Sequence, residues 1–258
     1  MEWKLCRYRS NGRNRIIMAK LYVDTIEPEG ATTNLAIGEA GQDVILPGND
    51  IRANVLQDAG GNAIFTSDGS GNVTGVNSAI GAPKVLILSQ TATDGASLSF
   101  TSDLDSTYKE YIFYFINIAP ATDQANFTFQ CSTDGGSNYN TTITNTYFRA
   151  KHNEANTEEG LAYDTGGSNY EVTTYISLGE GLGNEADENS AGELHLFNPA
   201  STSYVKNFYT TLATSEFSPG EYNTFQGGYV NTTSAVNAIS FKMSSGNFDG
   251  TIKMYGVK

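Results

Sequence analysis

The chain has 258 residues, enough for one large β domain with a smaller arm or for two domains. Tyr (15) and Phe (13) are abundant and Pro (6) is scarce, a mixture that suits short strands joined by Gly, Asn and Asp turns and fits a helical bundle poorly. The formal net charge is −13 and uneven: residues 1–20 hold six basic groups (Lys4, Arg7, Arg9, Arg13, Arg15, Lys20) and one acid (Glu2), which out of totals of 15 and 28 leaves nine basic and 27 acidic groups downstream. Such a body repels phosphate backbones, so nucleic-acid binding by the main part of the chain is not expected. No apolar run approaches the roughly 18 residues of a membrane helix, and no membrane insertion is expected. The basic start lacks the apolar core of a secretory signal. Cys6 and Cys131 lie far apart and read as unpaired thiols of a protein made in a reducing cytoplasm.

Residues 1–20 read as a basic extension, either a structureless tail or a tether to an acidic neighbour, and Met18 offers an alternative start of translation. Residues 21–84 follow as an arm of short apolar pieces. Leu21–Ile26 alternates like a strand, and Leu35-Ala36-Ile37, Val44-Ile45-Leu46, Asn54-Val55-Leu56 and Ala63-Ile64-Phe65-Thr66 are separated by turn residues. One copy of this arm lacks the apolar surface for a core of its own. Association with sister chains is the expected remedy, through Val23, Ile26, Leu35, Ile37, Val44, Leu46, Ile64 and Phe65.

Residues 85–258 are expected to form the main domain. Strands are predicted at 85–88, 96–100, 108–119, 127–131, 139–150, 171–178, 193–197, 207–213, 224–230, 238–243 and 251–255. The strongest signal is 108–119, where Tyr111, Phe113 and Phe115 alternate with Ile112, Tyr114 and Ile116, predicting a central strand covered on both faces. No helical stripe is evident. The fold class predicted is all-β: a short-stranded, oligomerising N-terminal arm followed by an antiparallel, jelly-roll-like β-sandwich.

Three stretches resemble virion fibre and tail proteins of marine and cyanobacterial phages. They are 58–73 (DAGGNAIFTSDGSGNV), 97–139 with its Tyr111-Ile112-Phe113 and Ser132-Thr133-Asp134-Gly135-Gly136-Ser137-Asn138-Tyr139 runs, and 246–256 (GNFDGTIKMYG). The resemblance implies a protein of the virion surface, made in the host cytoplasm and usually a homotrimer. The arm would hold sister chains and other virion proteins, and the sandwich would face a host-surface protein or glycan. A tail fibre, a head fibre and a capsid decoration protein remain open under it. It implies no catalytic role for the motif residues.

Only His152 and His195 could serve a Ser/His/Asp triad, and both read as structural or surface histidines. The acids Glu154, Glu158, Glu159, Glu180, Glu185, Asp187 and Glu188 cluster in Gly- and Asn-rich stretches and read as solvated loop charge rather than a glycosidase pair. The Glu180–Asn189 stretch has oxygen ligands for Ca²⁺ but not the ordered spacing of a calcium loop. No phosphate-cradling loop occurs. A non-enzymatic chain without cofactor or metal is therefore expected, with polysaccharide degradation as a minor alternative. For contact with a host surface the candidates are Tyr163, Tyr170, Tyr204 and Tyr222, placed in or near expected loops, because Tyr offers flat contact area at low ordering cost.

Overall fold

The computed structural model describes residues 6–10, 13–17, 55–57, 62–70, 72–76 and 83–257, the first two stretches as backbone only. The chain divides into two compact units, 1–54 and 55–258, so the expected arm (21–84) straddles the division. In the first unit, β1 (Cys6–Ser10) pairs antiparallel with β2 (Arg13–Ile17), from Cys6↔Ile17 to Ser10↔Arg13. This pairing replaces the structureless tail that was one reading of the extension. The two intervening residues are Asn11-Gly12, the dipeptide most favourable to a two-residue hairpin turn. Val23, Ile26, Leu35, Ile37, Val44 and Leu46 lie outside the described residues.

The second unit begins with a small antiparallel sheet, β3 (Val55–Gln57), β4 (Ala63–Ser67) and β5 (Val73–Val76), in the order β3-β4-β5. Ile64 is half-buried, whereas Val55, Leu56, Phe65 and Val73 are exposed. The β4–β5 turn is organised by Asp68, whose Oδ1 accepts from Ser70 N at 2.7 Å and whose Oδ2 accepts from Asn72 Nδ2 at 2.7 Å. The same chemistry recurs between later strands. Asp134 accepts from Ser132 Oγ at 2.6 Å, from Asn138 N at 2.9 Å and from Asn138 Nδ2 at 2.7 Å, around two left-handed glycines, Gly135 (φ 74°) and Gly136 (φ 87°).

The main body is the expected all-β antiparallel sandwich, with no helix among the described residues. Its strands are β6 (Lys84–Gly95), β7 (Leu98–Phe100), β8 (Glu110–Pro120), β9 (Ala125–Ser132), β10 (Ile143–Asn153), β11 (Glu159–Tyr163), β12 (Asn169–Val172), β13 (Ile176–Leu182), β14 (Ser190–Phe197), β15 (Lys206–Glu216), β16 (Gly220–Val230), β17 (Ala238–Met243) and β18 (Phe248–Val257). A large sheet runs β6-β18-β8-β14-β15-β16-β10, with β11 and β12 sharing the far side of β10. A small sheet runs β13-β9-β17-β7. The two are joined through the pairing Leu182↔Glu216 between β13 and β15.

Alternation explains why these segments close on one another. The inward residues of β8 (Tyr111, Phe113, Phe115) and β18 (Phe248, Ile252, Met254) face those of β9 (Phe127, Phe129, Cys131) and β17 (Ile239, Phe241, Met243), and all are buried. Phe241 is the hub: the rings of Phe100, Phe113, Phe115, Phe127 and Phe129 have centroids 5.3–6.4 Å from its own. Burial pushes the Cys131 thiol up to about 12, so the sulfur behaves as a small apolar filler. In β18, Gly250 (φ 145°) supports a bulge opposite β8, where a Cβ would stand 2.7 Å from Ile118 Cδ1.

The outer face of the small sheet is sealed. Thr128, Gln130, Ser132 and Ser240 are buried there by side chain–backbone and hydroxyl bonds, among them Gln130 Nε2 to Thr174 O at 2.8 Å and Ser99 Oγ to Ser240 Oγ at 2.9 Å. Lys242 covers the Tyr175 ring at 4.2 Å. Among the described residues no comparable layer covers the outside of the large sheet, as its exposed apolar residues show below.

Two predictions follow from the packing and the turns. Phe241→Ala removes the ring that five others share, and denaturant unfolding should show a loss of about 3–5 kcal/mol. For Asp134, hydrogen bonds from Ser132 and Asn138 hold the carboxyl at about 2, below the ordinary 3.8. The contribution of that turn is therefore complete above the ordinary value and is lost as pH falls through about 2; carboxyl-detected NMR should find the Asp134 midpoint there.

Candidate functional site

Strand pairing places a continuous row of side chains on the outer face of the large sheet. Leu86 pairs with Tyr255, Tyr255 with Ile112, Ile112 with His195, His195 with Tyr209 and Tyr209 with Gly227. One step along the strands, Tyr114 pairs with Glu193, Glu193 with Thr211, Thr211 with Phe225, Phe225 with Phe148 and Phe148 with Tyr163. An uncovered antiparallel face is ordinarily polar. Here Leu86, Ile116, Phe148, Leu161, Tyr163 and Tyr209 are all exposed. The expectation that β8 is covered on both sides holds for Ile112, which is buried, but Ile116 opens to solvent.

At the centre of this face sits His195. It is buried, its Nδ1 lies 2.5 Å from Glu110 Oε1, and its Nε2 lies 3.2 Å from Glu193 Oε1 without hydrogen-bond alignment. The imidazole stacks on Tyr209 with centroids 4.3 Å apart and planes 14° from parallel. Glu110 thus fixes the ring on which Tyr209 rests. The phenol of Tyr209 is pushed up by burial and then by the charges of Glu193 and Glu110. Lys84 donates to the Tyr114 hydroxyl, and that bond, helped by the two glutamates, raises its pKa. A second stack, Phe148 on Phe225 (5.1 Å, 14°), lies on β10 and β16.

Of the four tyrosines expected to meet a partner, three are well exposed: Tyr163, Tyr170 and Tyr204. They are not together. Tyr163 ends β11 on the large sheet's outer face, Tyr170 lies in β12, and Tyr204 sits in the loop before β15. The carbonyl of Tyr204 accepts from the buried ammonium of Lys206 at 3.0 Å, which anchors that loop.

Tyr222 requires correction. It is only 6% exposed, on the inner side of β16. Its hydroxyl donates to Glu216, while Arg149 and Lys151 stand 4.6 and 5.3 Å from its ring centroid. Arg149 in turn reaches Asp164 at 3.1 Å and Glu180 at 3.5 Å, and Lys151 reaches Glu158 at 2.6 Å. The ring is therefore part of a charged plug at the end of the sandwich and cannot contact a host. Burial raises both the Tyr222 phenol and the Glu180 carboxyl.

The acids of the sequence reading do meet one another in part. An open cleft of about 540 Å³ is lined by Glu154, Glu185, Asp187, Glu188, Glu216 and Glu221, with His152 beside them. Burial raises Glu221. Glu216 is already engaged by Tyr222 and lies 3.4 Å from Lys151 Nζ, and one Glu188 oxygen accepts from Glu185 N at 2.8 Å. Among the described residues no three His, Cys, Asp or Glu side chains are grouped so as to hold a metal ion.

No protein-family model, curated protein or solved structure matches this chain. The residues that sequence reasoning passed over are Tyr209, Glu110, Phe148 and Phe225. Each stands at an outward position of a correctly expected strand, a signal present in the alternation but lacking the pairing that aligns them.

Because Tyr222 satisfies a buried carboxylate, Tyr222→Phe should lower stability by about 1–3 kcal/mol, measured as a shift in thermal or denaturant midpoint, without altering the exposed face.

Proposed function

We propose that this chain is a non-enzymatic structural subunit of a bacteriophage particle, a fibre or adhesin in which the sandwich recognises a host surface. The observation that carries this reading is the aromatic outer face of the large sheet. It is not covered by other described residues, and it is held in register by the core beneath it. Contiguous exposed apolar area of this kind marks interaction surfaces. Rigid aromatic side chains give contact area at little entropic cost.

Two further features support the reading. Val55, Leu56, Phe65 and Val73 are apolar and exposed on the small sheet that precedes the sandwich, which suits burial against sister chains in a homotrimer and against other virion proteins. The acidic balance disfavours nucleic acid as a partner. The resemblance of the 58–73, 97–139 and 246–256 stretches to phage fibre proteins points to the virion surface; a capsid decoration protein is the alternative location.

A second reading, cleavage of polysaccharide, is favoured only by the acidic cleft at Glu216 and Glu221. Its weakness is that Glu216 is tied to Tyr222 and Lys151. One experiment separates the two. Purified protein is incubated with immobilised bacterial surface polysaccharides and with whole cells, and both retention and released oligosaccharide are measured. Retention without release, from a species that sediments as a trimer, is the expected result. Release of oligosaccharide that disappears in Glu221→Gln would transfer the function to the cleft.

A further inference from the structure

We infer that the outer face carries a sugar-sized slot above Gly227 that takes a pyranose ring of a neutral glycan, stacked on Tyr209. The inference rests on the recognition reading above and names the ligand class for the same face.

The slot follows from three observations. Tyr209 lies nearly parallel to His195 at 4.3 Å, across neighbouring strands β14 and β15. One face of its ring is thus used, and the other is turned toward β16, where its paired residue is Gly227. A Cβ built on Gly227 would meet nothing within 4 Å, so the space over it is open. On the far side stands Thr146 of β10, paired with Gly227 and exposed, its Oγ1 directed to Gly227 O at 3.3 Å. Tyr209 and Thr146 are two strand spacings apart, about 9.5 Å between backbones, which leaves room for one flat ring between them.

The lining selects the occupant. The free aromatic face suits the C–H face of a sugar. Asn207 is exposed on β15 and its paired residue, Tyr229, is half-exposed on β16; they present an amide and a hydroxyl that can donate and accept, while the Thr146 hydroxyl, donating to Gly227 O, is left to accept. Glu193 sits one strand beyond Tyr209 and Glu110 two strands beyond, and the chain carries −13, so polyanionic glycans, and the same face of a second copy, are repelled from this face. The platform is also rigid. His195 under Tyr209 is buried and bound to Glu110, so little ordering is lost on binding.

The test uses the full chain and three immobilised neutral polysaccharides (dextran, mannan and a galactan) beside polyanionic alginate, with binding read by surface plasmon resonance. Wild type should bind at least one neutral polymer and not alginate. Gly227→Val, which fills the slot, and Tyr209→Ala, which removes the platform, should each weaken binding by about tenfold or more, while Tyr204→Ala stays within about threefold of wild type. Circular dichroism and the thermal midpoint check folding; Tyr209→Ala trims a half-exposed side chain and serves if Gly227→Val fails to fold. Unchanged binding in both variants, or wild-type binding to alginate alone, overturns the slot and leaves the recognition reading standing. Wild-type protein that binds neither polysaccharide nor whole cells overturns both.

Discussion

The ring of Phe241 is shared by five other phenylalanines, and what the molecule can present to its surroundings depends on that cluster. Phe113 and Phe115 meet it from β8, in the large sheet; Phe127 and Phe129 meet it from the neighbouring strand of the small sheet. A slip of one residue in β8 would carry these rings out of the core and bring Ile112, Tyr114 and Ile116 in. The packed interior therefore locks register, and register is the property that aligns the outward residues. His195 meets Tyr209, and Phe225 meets Phe148, because Leu194, Leu196, Phe208 and Tyr147 are committed inward.

The two sheets differ in extent. The small one has four strands and the large one seven along its main path, so the inner side of β10 and β16 runs beyond the aromatic core. The chain closes that end with polar groups. Arg149 and Lys151 flank the Tyr222 ring, and Asp164, Glu180, Glu158 and Glu216 balance them. A plug of this kind adds little net stability, since desolvation offsets most of the attraction. It does fix geometry: Arg149 joins the turn at Asp164 to β13 through Glu180, and the same turn leads out from Tyr163 at the edge of the aromatic face. Packing at the closed end thus bears on how the exposed end is held.

Much of this fold could be read from residues alone because strand alternation is a local signal. The segment 238–243 coincides with β17, and 108–119, 127–131, 207–213 and 251–255 fall within two residues of β8 or inside β9, β15 and β18. The failures have local causes too. Residues 171–178 read as one strand but split into β12 and β13, since Thr173 to Tyr175 turn the chain between sheets. Residues 159–163 read as an acidic loop because Glu159 and Gly160 mask a strand whose partner, β10, supplies the pairing. Tyr222 reads as lying in or near a loop because the strand is expected only from 224; the strand in fact begins at Gly220 and its alternation puts Tyr222 inward. Three of the four tyrosines were legible as exposed, yet the face on which Tyr163 lies was not, because neighbours across a sheet are set by pairing over tens of residues and leave no local trace.

A sheet face that is aromatic and not covered by other described residues favours self-association. Charge opposes it. The downstream body carries 27 acids against nine basic groups; Glu193 stands within one of the aromatic rows, and Glu110 pairs with Phe197 beside them. Two copies that approached face to face would bring these carboxylates together while their apolar rows were still being desolvated, and like-charge repulsion at an interface costs several kcal/mol. The same repulsion does not act on an uncharged ligand small enough to lie between Tyr209 and Thr146. On the proposed reading, aromatic surface provides the attraction, acidic neighbours disfavour unwanted partners, and the face is left suited to flat, neutral, hydroxyl-bearing ligands.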